Sequence, residues 1–118
     1  MVGILIVEDE DLVAELLSET LRENGHEVRV AHDGAEGLRL LEERPPDLLL
    51  LNLMLPELGG WELLARKEQN ARLRAVPVVM MTGASVSRAQ REGLAGFLAK
   101  PFLIEELLAM VHTLFPSP

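Results

Sequence analysis

The residues between Pro46 and Pro56, Asp47-Leu48-Leu49-Leu50-Leu51-Asn52-Leu53-Met54-Leu55, constrain the fold more than any other stretch of the chain. The run is mostly leucine, too short to span a membrane and shorter than a usual globular helix, so it reads as a strand buried on both faces. Strands of that kind belong to parallel sheets covered by helices. Asn52 breaks the pattern. A primary amide near the end of such a strand must find hydrogen-bond partners or lie at the open carboxyl edge of the sheet, where α/β folds place their ligand sites.

The flanking segments alternate in the same way. Gly3–Val7 is an apolar β-branched run, and from Asp11 to Asn24 Leu12, Leu16, Leu17 and Leu21, with Val13 and Ala14, recur at helical spacing before Gly25. Glu27–Ala31 is a short alternating segment, and Asp33 is placed to cap a helix over residues 35–43 with Leu38 and Leu41 facing inward. After the leucine strand, residues 61–69 carry Leu63 and Leu64 in a third helical pattern, with Trp61 packed near its start. Residues 75–82 form an apolar strand, and Ser85 or Ser87 caps a short polar helix ending near Gly93. Residues 97–99 form a brief strand, and residues 104–115 a last amphipathic helix with Leu107, Leu108, Val111 and Leu114 inside. Five strand–helix units in strict alternation predict a doubly wound five-stranded parallel sheet with right-handed crossovers.

At 118 residues the chain has the length of one domain, set at residues 1–116 with residues 117–118 as a tail or the start of a linker. It lacks cysteine, which excludes disulfides, zinc–thiolate sites and thiol nucleophiles. A net charge of −8 argues against direct nucleic-acid binding, and Arg66, Lys67, Arg72, Arg74, Arg88 and Arg91, scattered among acids, read as solvated helix surface. His26, His32 and His112 are isolated and read as surface or rim residues. The apolar start of the chain has no preceding positive charge and is stopped at Glu8-Asp9-Glu10-Asp11, so neither a signal peptide nor a membrane anchor is expected; the cytoplasm is the default compartment.

In such a sheet the carboxyl ends of the strands converge. The first ends at Glu8-Asp9, the third at Asn52, the fourth at Thr82-Gly83, and the fifth runs into Lys100-Pro101. Each has an ordinary reading alone: a solvated turn or helix-start charge pair for Glu8 and Asp9, a turn residue for Asn52, a strand end for Thr82, a surface cation for Lys100. Together they bring carboxylates, an amide, a hydroxyl and an ammonium to one rim. Hard oxygen donors without His or Cys suit Mg²⁺ or Mn²⁺, and a lysine and a threonine opposite that metal complete a cradle for a phosphoryl group.

Four motifs in this order, Ile4-Leu5-Ile6-Val7-Glu8-Asp9-Glu10, Asp47 to Pro56 with Gly60, Met81-Thr82-Gly83, and Phe97-Leu98-Ala99-Lys100-Pro101-Phe102, resemble the receiver domain of bacterial two-component response regulators over essentially the whole chain. The resemblance implies the CheY-like, flavodoxin-like (βα)5 fold with strand order 2-1-3-4-5. It also implies that Glu8 and Asp9, with the Met54 backbone carbonyl and the residue at 52, hold Mg²⁺. Thr82 follows the phosphoryl group, Lys100 is its cationic partner, Phe97 is the switch aromatic, and the Lys100-Pro101 bond is cis. The implied partners are a sensor histidine kinase or phosphotransfer protein, and a downstream protein or attached output domain met through the fourth helix, fifth strand and fifth helix; a homodimer through that surface is the other option.

Asn52 departs from the family pattern, which has aspartate as phosphoacceptor. An amide oxygen is a poor nucleophile, so phosphorylation by the usual route and full-strength Mg²⁺ binding are not expected. Asn52 is compatible with a natural atypical receiver and with an engineered block. Two smaller departures accompany it: the segment between Thr82 and Phe97 is short for the family, and Phe97 lacks the hydroxyl many members carry. The reading is a regulatory receiver rather than an enzyme. Its alternatives are a constitutive interaction module with a vestigial site and a metal-dependent phosphatase or phosphotransferase acting on small molecules, the latter disfavoured because such enzymes need an aspartate nucleophile with an acid two residues on, and Asn52 is followed by Leu53 and Met54.

Overall fold

The computed structural model describes residues 2–116; the expected tail at 117–118 lies outside them. Strand β1 (Gly3–Val7) leads to helix α1 (Asp11–Glu23), β2 (Glu27–Ala31), α2 (Gly34–Glu43), β3 (Leu48–Asn52), α3 (Gly60–Glu68), β4 (Val78–Thr82), α4 (Arg88–Arg91), β5 (Gly96–Ala99) and α5 (Ile104–Leu114). All pairings are parallel in the order β2-β1-β3-β4-β5, which is the doubly wound α/β topology expected from the sequence. No helix among the described residues is long and apolar enough to cross a membrane.

The leucine run pairs on both sides. Leu49 faces Leu5 of β1 and Val78 of β4, and Leu48 to Leu51 are fully buried. Because side chains alternate across a strand, the run feeds two cores. Leu48 and Leu50 join Ile4, Ile6, Val79 and Met81 under α1 and α5, whereas Leu49 and Leu51 join Leu5, Val7, Val78 and Met80 under α2 and α3. Each buried leucine contributes about 1.5–3 kcal/mol, which ranks this strand above any single polar contact in holding the sheet together.

The caps agree with the sequence. Asp33 accepts a hydrogen bond from the Glu36 N–H (2.7 Å) while the Glu36 carboxylate accepts from the His32 N–H (2.7 Å), fixing the start of α2. Gly25, at φ 88°, ends the turn after α1. The last turn of α2 has no basic residue of its own. Arg29 of β2 supplies the missing donors, its guanidinium reaching the Leu40 carbonyl (3.1 Å) and the Arg44 carbonyl. Arg44 in turn pairs with Glu27 at 3.2 Å.

Several expectations are corrected. Leu12 and Leu16 face solvent, 82% and 58% exposed, and the buried stripe of α1 is Ala14, Leu17, Ser18 and Leu21. That set has the i, i+3, i+4, i+7 spacing, so the helix is rolled away from its two N-terminal leucines. Lys67 is buried rather than solvated: its ammonium donates to the Arg74 carbonyl (3.1 Å) and pairs with Glu68 (3.4 Å), closing the turn that follows α3. His26 is half-buried, in keeping with a rim position; among the described residues its Nδ1 has no partner, and burial lowers its pKa from the ordinary value. Leu38 is only partly buried and joins neither core, whereas Leu108 and Leu114, partly buried, pack against the core beside Leu107 and Val111 as expected. Strand β4 starts at Val78, the residues from 71 to 76 forming turns, and α3 starts one residue early at Gly60, leaving Trp61 37% exposed in its first turn. The short fourth helix is as expected, a single turn capped by Ser87 with Gly93 (φ 84°) just beyond.

Candidate functional site

The strand order reverses direction between β1 and β3, so the crevice beyond their carboxyl ends is the topological switch point. Glu8 leaves β1 there and is fully buried. A buried carboxylate must be met by donors. One oxygen, Oε1, accepts from the Lys100 ammonium at 2.9 Å; the other, Oε2, accepts from the Asn52 amide at 2.8 Å and from the Glu10 N–H at 3.2 Å.

Asn52, the last residue of β3, is 3% exposed, and its side chain makes three hydrogen bonds. Its Nδ2 donates to Glu8 and, at 3.1 Å, to Asp9 Oδ1. Its Oδ1 accepts from the Met54 N–H at 3.2 Å. One amide thus bridges both acids, with its two protons directed at the oxygens and its own oxygen turned back to the chain. Asp9 is exposed, so the cluster opens to solvent on that side. The Met54 side chain is 66% exposed and only its backbone joins the site.

Local packing holds this loop close. The Leu53 N–H donates to the Met81 carbonyl (3.0 Å) and the Gly60 N–H to the Leu53 carbonyl (3.1 Å). A Cβ on Gly60 would come within 2.9 Å of Leu53 Cα, so the residue must be glycine for the start of α3 to lie against the end of β3.

Thr82, at the end of β4, is buried, and its hydroxyl accepts from the Ala84 N–H at 3.0 Å. It joins the cluster through the backbone: the Lys100 N–H donates to the Thr82 carbonyl at 2.8 Å, setting the root of the lysine beside the end of β4. The Lys100-Pro101 peptide is cis, as expected. Phe97 lies in β5 opposite Met80, half-buried, and shares no hydrogen bond with the polar cluster.

The fold therefore brings Glu8, Asp9, Asn52, the Met54 backbone and Lys100 into one hydrogen-bonded group, with Thr82 tied to it through the chain. Sequence reasoning missed the Glu10 and Ala84 N–H donors, which depend on turn conformations two residues from their acceptors. It also missed Arg91, whose guanidinium carbon lies 4.1 Å from the centroid of the Phe97 ring. Among the described residues no group of three or more His, Cys, Asp or Glu is arranged to hold a metal.

Fold and site define a doubly wound α/β domain with an acid–amide–lysine cluster at its switch point. The family model for the response regulator receiver domain matches residues 4–112, and the chain belongs to that family. It is 35% identical over 118 residues to the DNA-binding dual master transcriptional regulator RpaA of Synechocystis sp., covering 97% of this chain and 49% of that protein. It is 37% identical over 117 residues to the response regulator MprA of Mycobacterium ulcerans, covering 96% and 50%. The chain thus spans about half the length of these relatives. Among solved structures, the chemotaxis response regulator CheY4 of Vibrio cholerae superposes with a TM-score of 0.88 at 27% identity, covering 98% of this chain and 99% of that one. The Francisella response regulator 1452 receiver domain gives 0.84 at 29%, covering 97% and 96%.

Proposed function

We propose that this response-regulator receiver is held in an unphosphorylated state by Asn52, which occupies the position of the family's phosphoacceptor aspartate. The single observation that carries the proposal is the bridging amide, hydrogen-bonded to Glu8 and Asp9 at 2.8 and 3.1 Å. At that position a carboxylate oxygen would attack phosphorus and displace the donor's leaving group. The amide oxygen is a weak nucleophile because its nitrogen lone pair is delocalised, and here it also accepts from Met54 N–H. Thr82 and Lys100 would then address a phosphoryl oxygen each once an acceptor is present.

The donor set fits Mg²⁺ in kind: two carboxylates and the Met54 backbone carbonyl are hard oxygen ligands. When bound, the ion would neutralise charge on a transferring phosphoryl group. Glu8 Oε2 and Asp9 Oδ1 already accept from the Asn52 amide, so the ion would compete with those contacts and bind weakly. The partners follow from the same reading: a histidine kinase or phosphotransfer protein upstream, and an attached output domain or a separate protein downstream, reached through α4, β5 and α5. Direct catalysis on small molecules and direct contact with nucleic acid by this domain are not part of it.

A second reading, a constitutive interaction module, is favoured by one feature: Glu8, Asp9, Asn52 and Lys100 are hydrogen-bonded to one another in a closed set. Acetyl phosphate with Mg²⁺ separates the two. Intact mass spectrometry should show a phosphoryl adduct on the Asn52→Asp variant and none on the parent chain. An unmodified variant would favour the interaction module.

A further inference from the structure

The short stretch between β4 and β5 is held by few contacts. Helix α4 is one turn with no buried residue, closed by a reciprocal cap: Ser87 Oγ accepts from the Gln90 N–H (3.1 Å), and Gln90 Oε1 accepts from the Ser87 N–H (2.9 Å). Beneath it, Val86, Leu94 and Phe97 lie partly buried against the core on the α2–α3 side. Arg91, the last residue of the turn, places its guanidinium over the Phe97 ring at 4.1 Å. Among the described residues that guanidinium makes no salt bridge and no side-chain hydrogen bond, although Glu92 is its neighbour in sequence.

A cation over an aromatic face is drawn to the electron-rich ring, with a strength at exposed sites of about 0.5–1 kcal/mol, equivalent to a two- to fivefold bias between two positions of that ring. Phe97 has no hydroxyl with which to anchor itself. The charged group that addresses the ring among the described residues is therefore carried by α4, a segment with little else to fix it.

We infer that Arg91 is the positioning residue of the Phe97 ring: the stack holds the ring where it lies in this structure and pins α4 to β5 through it. Displacing the ring then frees the α4 turn, and loosening the turn frees the ring. This rests on the reading of Phe97 as the switch aromatic only for its regulatory meaning. The contact itself can be tested apart from that reading.

The test uses the parent chain labelled with 4-fluorophenylalanine, whose three ring signals are assigned with Phe97→Leu, together with amide hydrogen exchange over residues 83–95. Arg91→Ala should move the Phe97 fluorine signal, leave those of Phe102 and Phe115 in place, and raise exchange in α4 two- to fivefold. Arg91→Lys, which keeps the cation, should restore part of both effects. When Phe97→Leu is already present, Arg91→Ala should add nothing to the exchange rate. An unmoved Phe97 signal, or an exchange increase of equal size with and without Phe97→Leu, would overturn the inference. A second arm adds beryllofluoride and Mg²⁺ to Asn52→Asp, where Arg91→Ala should lower the concentration at half-saturation two- to fivefold. A ring effect in the first arm with no change in the second would retain the Arg91 contact and remove the switch role assigned to Phe97.

Discussion

Glu8 shows how a buried charge is made tolerable. Both of its oxygens are occupied, one by an ammonium and the other by an amide and a backbone N–H. Removing one partner strands the charge instead of merely deleting a contact. Lys100→Met should therefore destabilise the domain by about 3 kcal/mol, read as a lower urea midpoint at unchanged m-value. Asn52→Ala leaves Lys100 in place and should cost about 1–2 kcal/mol. Asn52→Asp should behave differently again. It replaces two donors with a third carboxylate, so its midpoint should fall without metal and rise with added Mg²⁺, while the parent's stays nearly constant. A parent midpoint that climbs with Mg²⁺ as steeply as the variant's would remove Asn52 from the metal's place. The residues of this cluster were legible because topology alone sends strand ends to one rim. The direction in which the amide turns was not, since it is decided by Glu8, Asp9 and Met54 together, the first two more than forty positions away in the chain.

Element types and order were equally legible: alternation of apolar runs with capped helical patterns leaves little choice of architecture. Helix roll was less so. In α1 leucines occur on both faces, and only packing decides that Leu17 and Leu21 go in while Leu12 and Leu16 stay out. Leu12→Gln should accordingly change stability by less than about 0.5 kcal/mol in a urea titration, whereas a buried apolar position would lose several times more. Close approach of elements is likewise invisible in composition. A Cβ on Gly34 would collide with the Leu58 carbonyl of the loop before α3. Gly34→Ala should cost about 1–3 kcal/mol despite the better helix propensity of alanine, because a backbone atom cannot step aside as a flexible side chain can.

For the molecule as a whole, the histidine that sequence placed at the rim gives stability a pH slope. Burial holds His26 below its ordinary pKa of 6.5, so near that pH the unfolded chain binds a proton that the folded chain refuses. Its contribution is intact above about 6.5 and is lost as pH falls through that value towards the lower folded pKa. His26→Gln should flatten the fall in urea midpoint between neutral and mildly acidic buffer; an unchanged slope would assign it to the carboxylates. The clasp between β2 and the end of α2 also acts at this scale. Arg44 is tied to β2 twice, through its carbonyl to Arg29 and through its guanidinium to Glu27. These ties favour joint opening of the outer strand and the tail of that helix, and a cut or insertion near Pro45 would be felt first at the margin of the sheet, far from the rim where the acids meet.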